Sequence, residues 1–482
     1  MSDDKIQTSA TRAARAAGKE RRIQLPRADL ATLPDRPSGF DPVSILESQA
    51  LDRRAELVPL RYQRMAADEF AFLRGAAATM AYDLALAPNT GIDAQLCGDA
   101  HLVNFGIFLS PERRLTFDVN DFDETLPGPF EWDVKRLGAS IAVAMLSHGH
   151  SEAAAASAVM KTAATYRATV TELDSQGNLE VWYRFLDIEA LLPQLREAFK
   201  DEHGSPVDAL VAKAQKKDSR RAFAKLTGFV DGRLTFIPDP PVVVPLAALL
   251  QRDDSPNLSA DDAIKLIIDG YTESLPADRA YLLSTFDAVD MARKVVGVGS
   301  VGTRCFIVLM LGASIEDPLI LQIKEALPSV LESHLGPSHC ATAGERVVQG
   351  QQLMQTTPDI FLGHKRLAYS ETESHDFYVR QLYDGKASVD TEKFHDEVQY
   401  GRYGELCGAT LARAHARSGR RAEIAAYLGS GKAFEKAIAT WSMAYVERSR
   451  ADYRALLAAI DSGRVSTQVP DMPGVTSPLP SL

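Results

Sequence analysis

Cys97-Gly98-Asp99-Ala100-His101-Leu102-Val103-Asn104 and, further on, Phe117-Asp118-Val119-Asn120-Asp121-Phe122-Asp123-Glu124 crowd acidic and metal-capable side chains into two short segments. Phosphoryl transfer asks few things of a protein: a carboxylate to orient or accept the proton of an attacking hydroxyl, and oxygen ligands that hold magnesium on the phosphates. An Asp followed five residues later by an Asn supplies both from one tight loop, and Asp99 and Asn104 have that spacing. A second carboxylate at the end of the next strand bridges metal to outer phosphates, a place that Asp121 or Asp118 can take. Taken singly, Asp and Asn are common turn formers. Their order and joint spacing favour chemistry. His101 either braces the loop by hydrogen bonding or touches substrate.

Outward from this cluster, Leu115 to Val119 alternates like a strand, and Leu57 to Leu86 reads as helix, with Phe70, Phe72, Leu73, Ala76, Met80 and Leu84 at helical spacing until Pro88, Asn89 and Gly91. Trp132 to about Leu173 is an alanine-rich helical stretch. The basic patch Lys213 to Arg221 reads as a solvated helix face, and Pro238, Pro240, Pro241 and Pro245 mark a connector. Strand character then takes over at Lys294 to Val296, Thr303 to Leu311, Leu319 to Lys324 and Tyr378 to Tyr383, interrupted by one helix near Gly344 to Thr356. Beyond Thr391 the chain reads as helix to about Ile460, followed by a Pro/Ser-rich tail too poor in apolar residues to fold.

Gly297-Val298-Gly299-Ser300-Val301-Gly302 is a GxGxxG. In a dinucleotide fold a helix follows such a loop. Here Thr303 to Leu309 reads as strand, which suits a hairpin covering nucleotide phosphates. The next strand carries Leu321-Gln322-Ile323-Lys324, laid out like the strand whose lysine contacts phosphates and pairs with a helix glutamate. Glu345 is the expected partner; Glu332 is too near in register. Without the glycines upstream, Lys324 would read as a surface lysine.

Gly98-Asp99-x-His101-x-x-Asn104 resembles the catalytic loop of aminoglycoside and choline kinases, and Asp121-Phe122-Asp123 resembles their second motif. Those kinases carry a further Asp about a dozen residues on, anchoring the loop from a helix, and this resemblance assigns Asp133 to that support. The offset favours Asp121 over Asp118 as the metal ligand. Cys97 stands where that family usually has His. The glycine loop follows the catalytic loop instead of preceding it, so the resemblance implies a circularly permuted kinase-like chain. From about residue 40 to 460 the chain is similar to a bacterial family catalogued as domain of unknown function 2252, grouped with kinase-like folds, through Phe72-Leu73-Arg74-Gly75, Gly98 to Gly106, Phe117 to Glu124, Trp132 to Ser140 and Val295 to Arg304.

The expected fold is α+β and two-lobed: a disordered basic arm over 1–40, a helical large lobe over 41–290, a β-rich small lobe over 291–388, helices completing the large lobe over 389–463, and a disordered tail over 464–482. A net charge of −11 argues against a nucleic-acid partner, no apolar run approaches the roughly 20 residues of a membrane helix, and four scattered cysteines suit a reducing cytoplasm. The expected activity is phosphoryl transfer from ATP to a hydroxyl compound, with Mg²⁺ on Asn104 and Asp121 or Asp118, Asp99 and His101 catalytic, and Gly297, Gly299, Ser300, Gly302, Lys324 and Glu345 around the nucleotide. Nucleotidyl transfer, a nucleotide-binding pseudokinase, a metal-dependent hydrolase using the Asp/His cluster, and an interaction protein are the alternatives.

Overall fold

The computed structural model describes residues 8–199, 206–215, 219–230, 232–252, 259–368, 374–382, 385–394 and 396–470. Its strands are β1 (Asp93–Leu96), β2 (Phe105–Leu109), β3 (Leu115–Val119), β4 (Leu126–Pro129), β5 (Thr227–Val230), β6 (Arg233–Phe236), β7 (Val243–Pro245), β8 (Asp287–Lys294), β9 (Cys305–Leu311), β10 (Pro318–Ala326), β11 (Gly363–Ala368), β12 (Ser374–Gln381) and β13 (Ala387–Ser388). The fold is α+β. Six strands form one antiparallel sheet in the order β11-β12-β10-β9-β8-β7; β13-β2-β3, β1-β4 and β5-β6 make smaller sheets.

Four long helices build the helical body: Glu131–Ser147, Glu152–Asp174, Glu397–Arg417 and Ala433–Asp461. Small residues set their approach. A Cβ on Gly404 would land on Thr162 Oγ1, and one on Gly138 would lie 2.5 Å from Ser442 Oγ. Helix Glu131–Ser147 is buried from Glu131 through Met145, so its polar side chains need internal partners. Glu131 takes the Thr90 N–H and hydroxyl, each at 2.7 Å, and the Lys135 ammonium lies 5.1 Å from the centre of the Trp441 ring.

β10 is buried along its whole length, and its two-residue period divides it. Leu319, Leu321 and Ile323 enter a core with Tyr271, Met310, Phe377 and Val379, while Ile320 joins a different cluster with Ile307 and Leu309. Lys324 has the same parity as Ile320. Across the ladder Lys324 faces Tyr378 and Gln322 faces Arg380, so these four side chains share one face of the sheet.

Several expectations change. Ser9–Gln24 is not a disordered arm but a helix packed on Arg421–Leu428, with Arg15 bonded to Asp174 at 2.7 Å; Arg27 reaches the Leu428 carbonyl and Leu30 is buried. Only residues 1–7 of that arm lie outside the described residues. The proline connector forms edge strand β7, which joins the large sheet through β8, so the sheet recruits chain well before residue 291. Its prolines sit at the strand's end and outside it, where no ladder donor is needed. The stretch Leu57 to Leu86 is broken into helices Val58–Met65, Glu69–Gly75 and Ala77–Leu86 because Asp68 caps the second, accepting from the Ala71 N–H at 2.7 Å. β11 was not expected as a strand. Arg464 begins the expected tail yet bonds Glu47, and Val465 is buried. Residues 471–482 of the tail, Lys216 to Asp218 of the basic patch, and Tyr383 lie outside the described residues.

Candidate functional site

The loop after β1 is held from below by Asp133, whose carboxylate accepts the N–H of Cys97 at 2.8 Å and of Gly98 at 3.0 Å and touches His415 Nε2 at 3.2 Å. Gly98 has φ +80°, and a Cβ there would strike the Glu124 carbonyl. Leu102 N–H donates to Ser140 Oγ, and Asn104 Nδ2 donates to the Asp99 carbonyl at 2.7 Å. That bond commits the amide nitrogen and leaves Oδ1 as the Asn104 atom available to a ligand. Arg136 fixes the Asp99 carboxylate through Nε at 2.8 Å and Nη2 at 2.7 Å. His101 Nε2 lies 3.6 Å from the other Asp99 oxygen. Burial pushes the imidazole down to about 3 despite the Asp99 charge, so His101 is neutral at pH 7. Its Nδ1 is buried with no hydrogen-bond partner.

Two of the candidate acids meet different fates. Asp118 lies within β3, 1% exposed, paired with Arg413 and bonded to the Val119 N–H at 2.8 Å. Its expected metal role is corrected: strand alternation turns it into the body, where an arginine consumes its charge. Asp121 follows the strand and lines the cleft, with Oδ1 3.9 Å from Lys324 Nζ. Asp123 accepts from Lys324 Nζ at 2.6 Å, Tyr378 Oη at 2.6 Å and Ser300 Oγ at 3.1 Å. Burial works to raise the Asp123 carboxyl, but the charge and hydrogen bond of Lys324 win and hold it well below the usual range. Burial likewise opposes the charged form of Lys324, and Asp121 and Asp123 more than offset it. Glu345 is therefore not the partner of Lys324. Its carboxylate serves its own helix end, accepting from the Ala341 N–H at 2.9 Å and from Gln349 at 2.9 Å. The next residue, Arg346, ties that helix to the acidic loop through the carbonyls of Asp123 and Thr125.

The β8–β9 connection carries the glycine-rich loop. Gly297, Gly299 and Ser300 line a cleft whose lining also includes Asp99, His101, Asn104 and Asp121. Nothing would meet a Cβ at Gly297, so the absent side chain widens the cleft. Gly302 stands behind the loop with φ +92°, its carbonyl accepting the Arg54 N–H at 2.7 Å. The two sequence segments thus share one cavity, with Asp133 supporting it from beneath.

A family model described as an uncharacterized protein conserved in bacteria (DUF2252) matches residues 53–459. The chain belongs to the DUF2252 family. No curated protein and no solved structure matches it. In this DUF2252 chain the matched span contains every candidate residue named so far. It also contains cleft residues that the phosphotransferase reading left without a role: Asp123, which entered only as a metal ligand of the hydrolase alternative, and Glu124, Arg53, Arg61 and Arg74. Burial, with the nearby Asp123 and Asp99 charges adding to it, pushes Glu124 up to about 7, although it accepts the Val330 N–H and faces Arg346. Arg74 was legible only as part of the Phe72-to-Gly75 signature, and Asp123 as the last letter of Asp-Phe-Asp and as one acid of the Asp/His cluster.

Among the described residues no group of three or more His, Cys, Asp or Glu side chains could hold a metal ion by itself. The available oxygens are Asn104 Oδ1 and the Asp121 carboxylate, with Asp123 beside them. That set fits magnesium, which is commonly bound by one or two carboxylates and completed by water and substrate phosphates. No described helix is long and apolar enough to cross a membrane.

Proposed function

We propose that this chain is an ATP- and Mg²⁺-dependent phosphotransferase with a circularly permuted, kinase-like two-lobed fold, moving the γ-phosphate to a hydroxyl of a small molecule. The observation that carries the reading is the 2.6 Å contact of buried Lys324 with Asp123, which lines a cleft shared with Asp99 and the glycine-rich loop. Supporting it, a glycine loop joins β8 to β9, a buried lysine follows on β10, and a helix, Ala343–Met354, follows that, the order in which kinases place these parts. The catalytic loop comes earlier in the chain, as a permutation requires. The four separate thiols suit a cytoplasmic setting.

Bound Mg-ATP supplies the phosphoryl group and the charge that neutralises it; Asn104 and Asp121 would hold the cation. Asp99 receives the proton of the acceptor hydroxyl as its oxygen bonds to the γ-phosphorus and the bond to the β–γ bridging oxygen breaks, releasing ADP. Arg136 keeps the Asp99 carboxylate aimed, and Asn104 fixes the loop through the Asp99 carbonyl. Neutral His101 stands beside Asp99 and adds no positive charge. Lys324 exchanges its contact with Asp123 for phosphate oxygens, and Ser300 ties the glycine loop down over them.

The decisive measurement uses the purified chain with magnesium and labelled ATP. Transfer of the γ-label to a small hydroxyl compound is expected; transfer of the α-label instead would show nucleotidylation, and stabilisation by nucleotide without transfer would show a pseudoenzyme. Asp99→Asn is expected to remove at least about two orders of magnitude of turnover, the range a positioned acid–base group contributes, with ATP affinity nearly unchanged. Wild-type rates in that variant would refute the role given to Asp99.

A further inference from the structure

With three of the cleft's acids held by cations outside the arginine group, Arg53, Arg61 and Arg74 stand against only Asp121 and Glu124. Asp99 is held by Arg136, Asp123 by Lys324, and Glu325 by Arg304 and His375. Arg53, Arg61 and Arg74 line the same cleft, and none of them pairs with a carboxylate among the described residues. Arg61 is 1% exposed; its Nη atoms meet the Leu46 and Gly75 carbonyls and the Gln49 side chain, and its Nε has no partner. Arg53 donates to the Val301 carbonyl and also leaves Nε buried and unpartnered. Arg74 makes no hydrogen bond to a described residue, and its Nε is buried too. Burial drives the Arg61 guanidinium down to about 9, with Arg53 adding to the shift. Arg61 is buried and Arg53 and Arg74 are half-buried, with acids acting on them only from beyond ion-pair distance, so a bound anion would offset a desolvation cost that the protein itself leaves in place.

Position separates this cluster from Lys324. Arg74 rides on helix Glu69–Gly75, whose Leu73 carbonyl accepts Arg136 Nη2 at 2.7 Å, and the same guanidinium grips Asp99. Arg74 therefore belongs to the wall that positions Asp99 and Arg61 meets the same helix at the Gly75 carbonyl, whereas Arg53 reaches the Val301 carbonyl of the glycine-rich loop and Lys324 projects from the sheet. The opening that Gly299 leaves lies 3.8 Å from the Arg74 carbonyl, so the glycine loop closes against this wall. Planar forks of N–H donors match phosphate and carboxylate oxygens two at a time.

We infer that Arg53, Arg61 and Arg74 form an oxyanion subsite for the phosphate or carboxylate of the acceptor, so that the molecule phosphorylated is itself an anionic hydroxyl compound. The acceptor assignment rests on the phosphotransferase reading; the anion site itself does not.

Calorimetric titration of the full chain with inorganic phosphate, with and without magnesium and a non-hydrolysable ATP analogue, tests it. Phosphate is expected to bind under both conditions, and Arg74→Gln, which breaks no internal hydrogen bond, to weaken phosphate about tenfold or more while changing analogue affinity less than about twofold. Absence of phosphate binding to the wild-type chain overturns the inference. So does competition between phosphate and analogue with equal losses of both in Arg74→Gln, since the arginines would then hold the nucleotide's own phosphates. Should Arg74→Gln misfold by its thermal transition, Arg74→Met, which keeps the apolar stem, gives the same readout. Phosphate binding lost in the variant, in a chain that never binds the analogue, keeps the anion site and removes only the nucleotide reading.

Discussion

Asp118 and Asp121 lie three residues apart and have unlike surroundings. Asp118 sits in a strand with Arg413 against it; Asp121 has left the strand and keeps 32% of its side chain open to the cleft. Replacing Arg413 by Leu leaves a buried carboxylate unpaired, and a loss of roughly 3–5 kcal/mol is expected in denaturant unfolding. ATP affinity of whatever still folds should not change, which is the readout a metal role for Asp118 would move. Lys135 offers a test by pH. Burial pushes its ammonium down to about 8, only partly opposed by Glu131, so the folded state gives up this proton more readily than the unfolded chain. The cost of burying the charge is complete below about pH 8 and fades as pH rises toward the ordinary lysine value of 10.5. Lys135→Met is therefore expected to unfold at higher denaturant than wild type at pH 7, with the advantage shrinking above pH 8. The carboxylates and the lysine of the site were legible as residue types at spacings. Which acid Lys324 touches was not, because Asp123 and Glu345 both lie far from it in sequence and only packing distinguishes them.

Helices Glu152–Asp174 and Glu397–Arg417 approach closely because Gly404 and Gly408 face Thr162. Gly404→Val forces a side chain onto the Thr162 hydroxyl. Overpacking of this kind costs typically about 1–3 kcal/mol, and a lower thermal midpoint with unchanged nucleotide affinity is the expected result. Element type followed from composition and period where these were clear: β10 and β12 are rich in β-branched and aromatic residues, and Phe70, Leu73, Met80 and Leu84 recur at helical spacing. Element limits depended on capping. Asp68 ends one helix and begins another within what reads as a single apolar pattern. β11, Gly363-His-Lys-Arg-Leu-Ala, was invisible because its polar, unbranched residues gain strand form only from pairing with β12.

At the scale of the whole molecule, described residues near the N-terminus are tied to the C-terminal helices. Arg36 bonds both Asp83 and Asp452, and helix Ser9–Gln24 packs on Arg421–Leu428, so the N-terminal segment closes the helical body. Deleting residues 1–38 removes the buried Leu30 and leaves Asp83 with Arg448 alone; the thermal midpoint is expected to fall by several degrees, about 2–4 °C per kcal/mol lost in a chain of this size or less. An unchanged midpoint would mean that the segment is a passive appendage. Ligand linkage gives a complementary measure: a nucleotide at about a hundred times its Kd adds roughly 2.7 kcal/mol, and Lys324→Ala should diminish that gain at fixed nucleotide. The amino-acid order alone determined the chemical kit, an Asp and Asn in one loop, acids after a strand, glycines before a lysine, because spacing and two- or 3.6-residue periods are local properties. Tertiary structure alone decided that Asp118 faces inward, that Asp123 holds Lys324 in place of Glu345, and that three arginines, two from early helices and one from the turn before them, enter the cleft. Those outcomes depend on which distant surfaces meet, and the partner of a buried charge is chosen by that meeting.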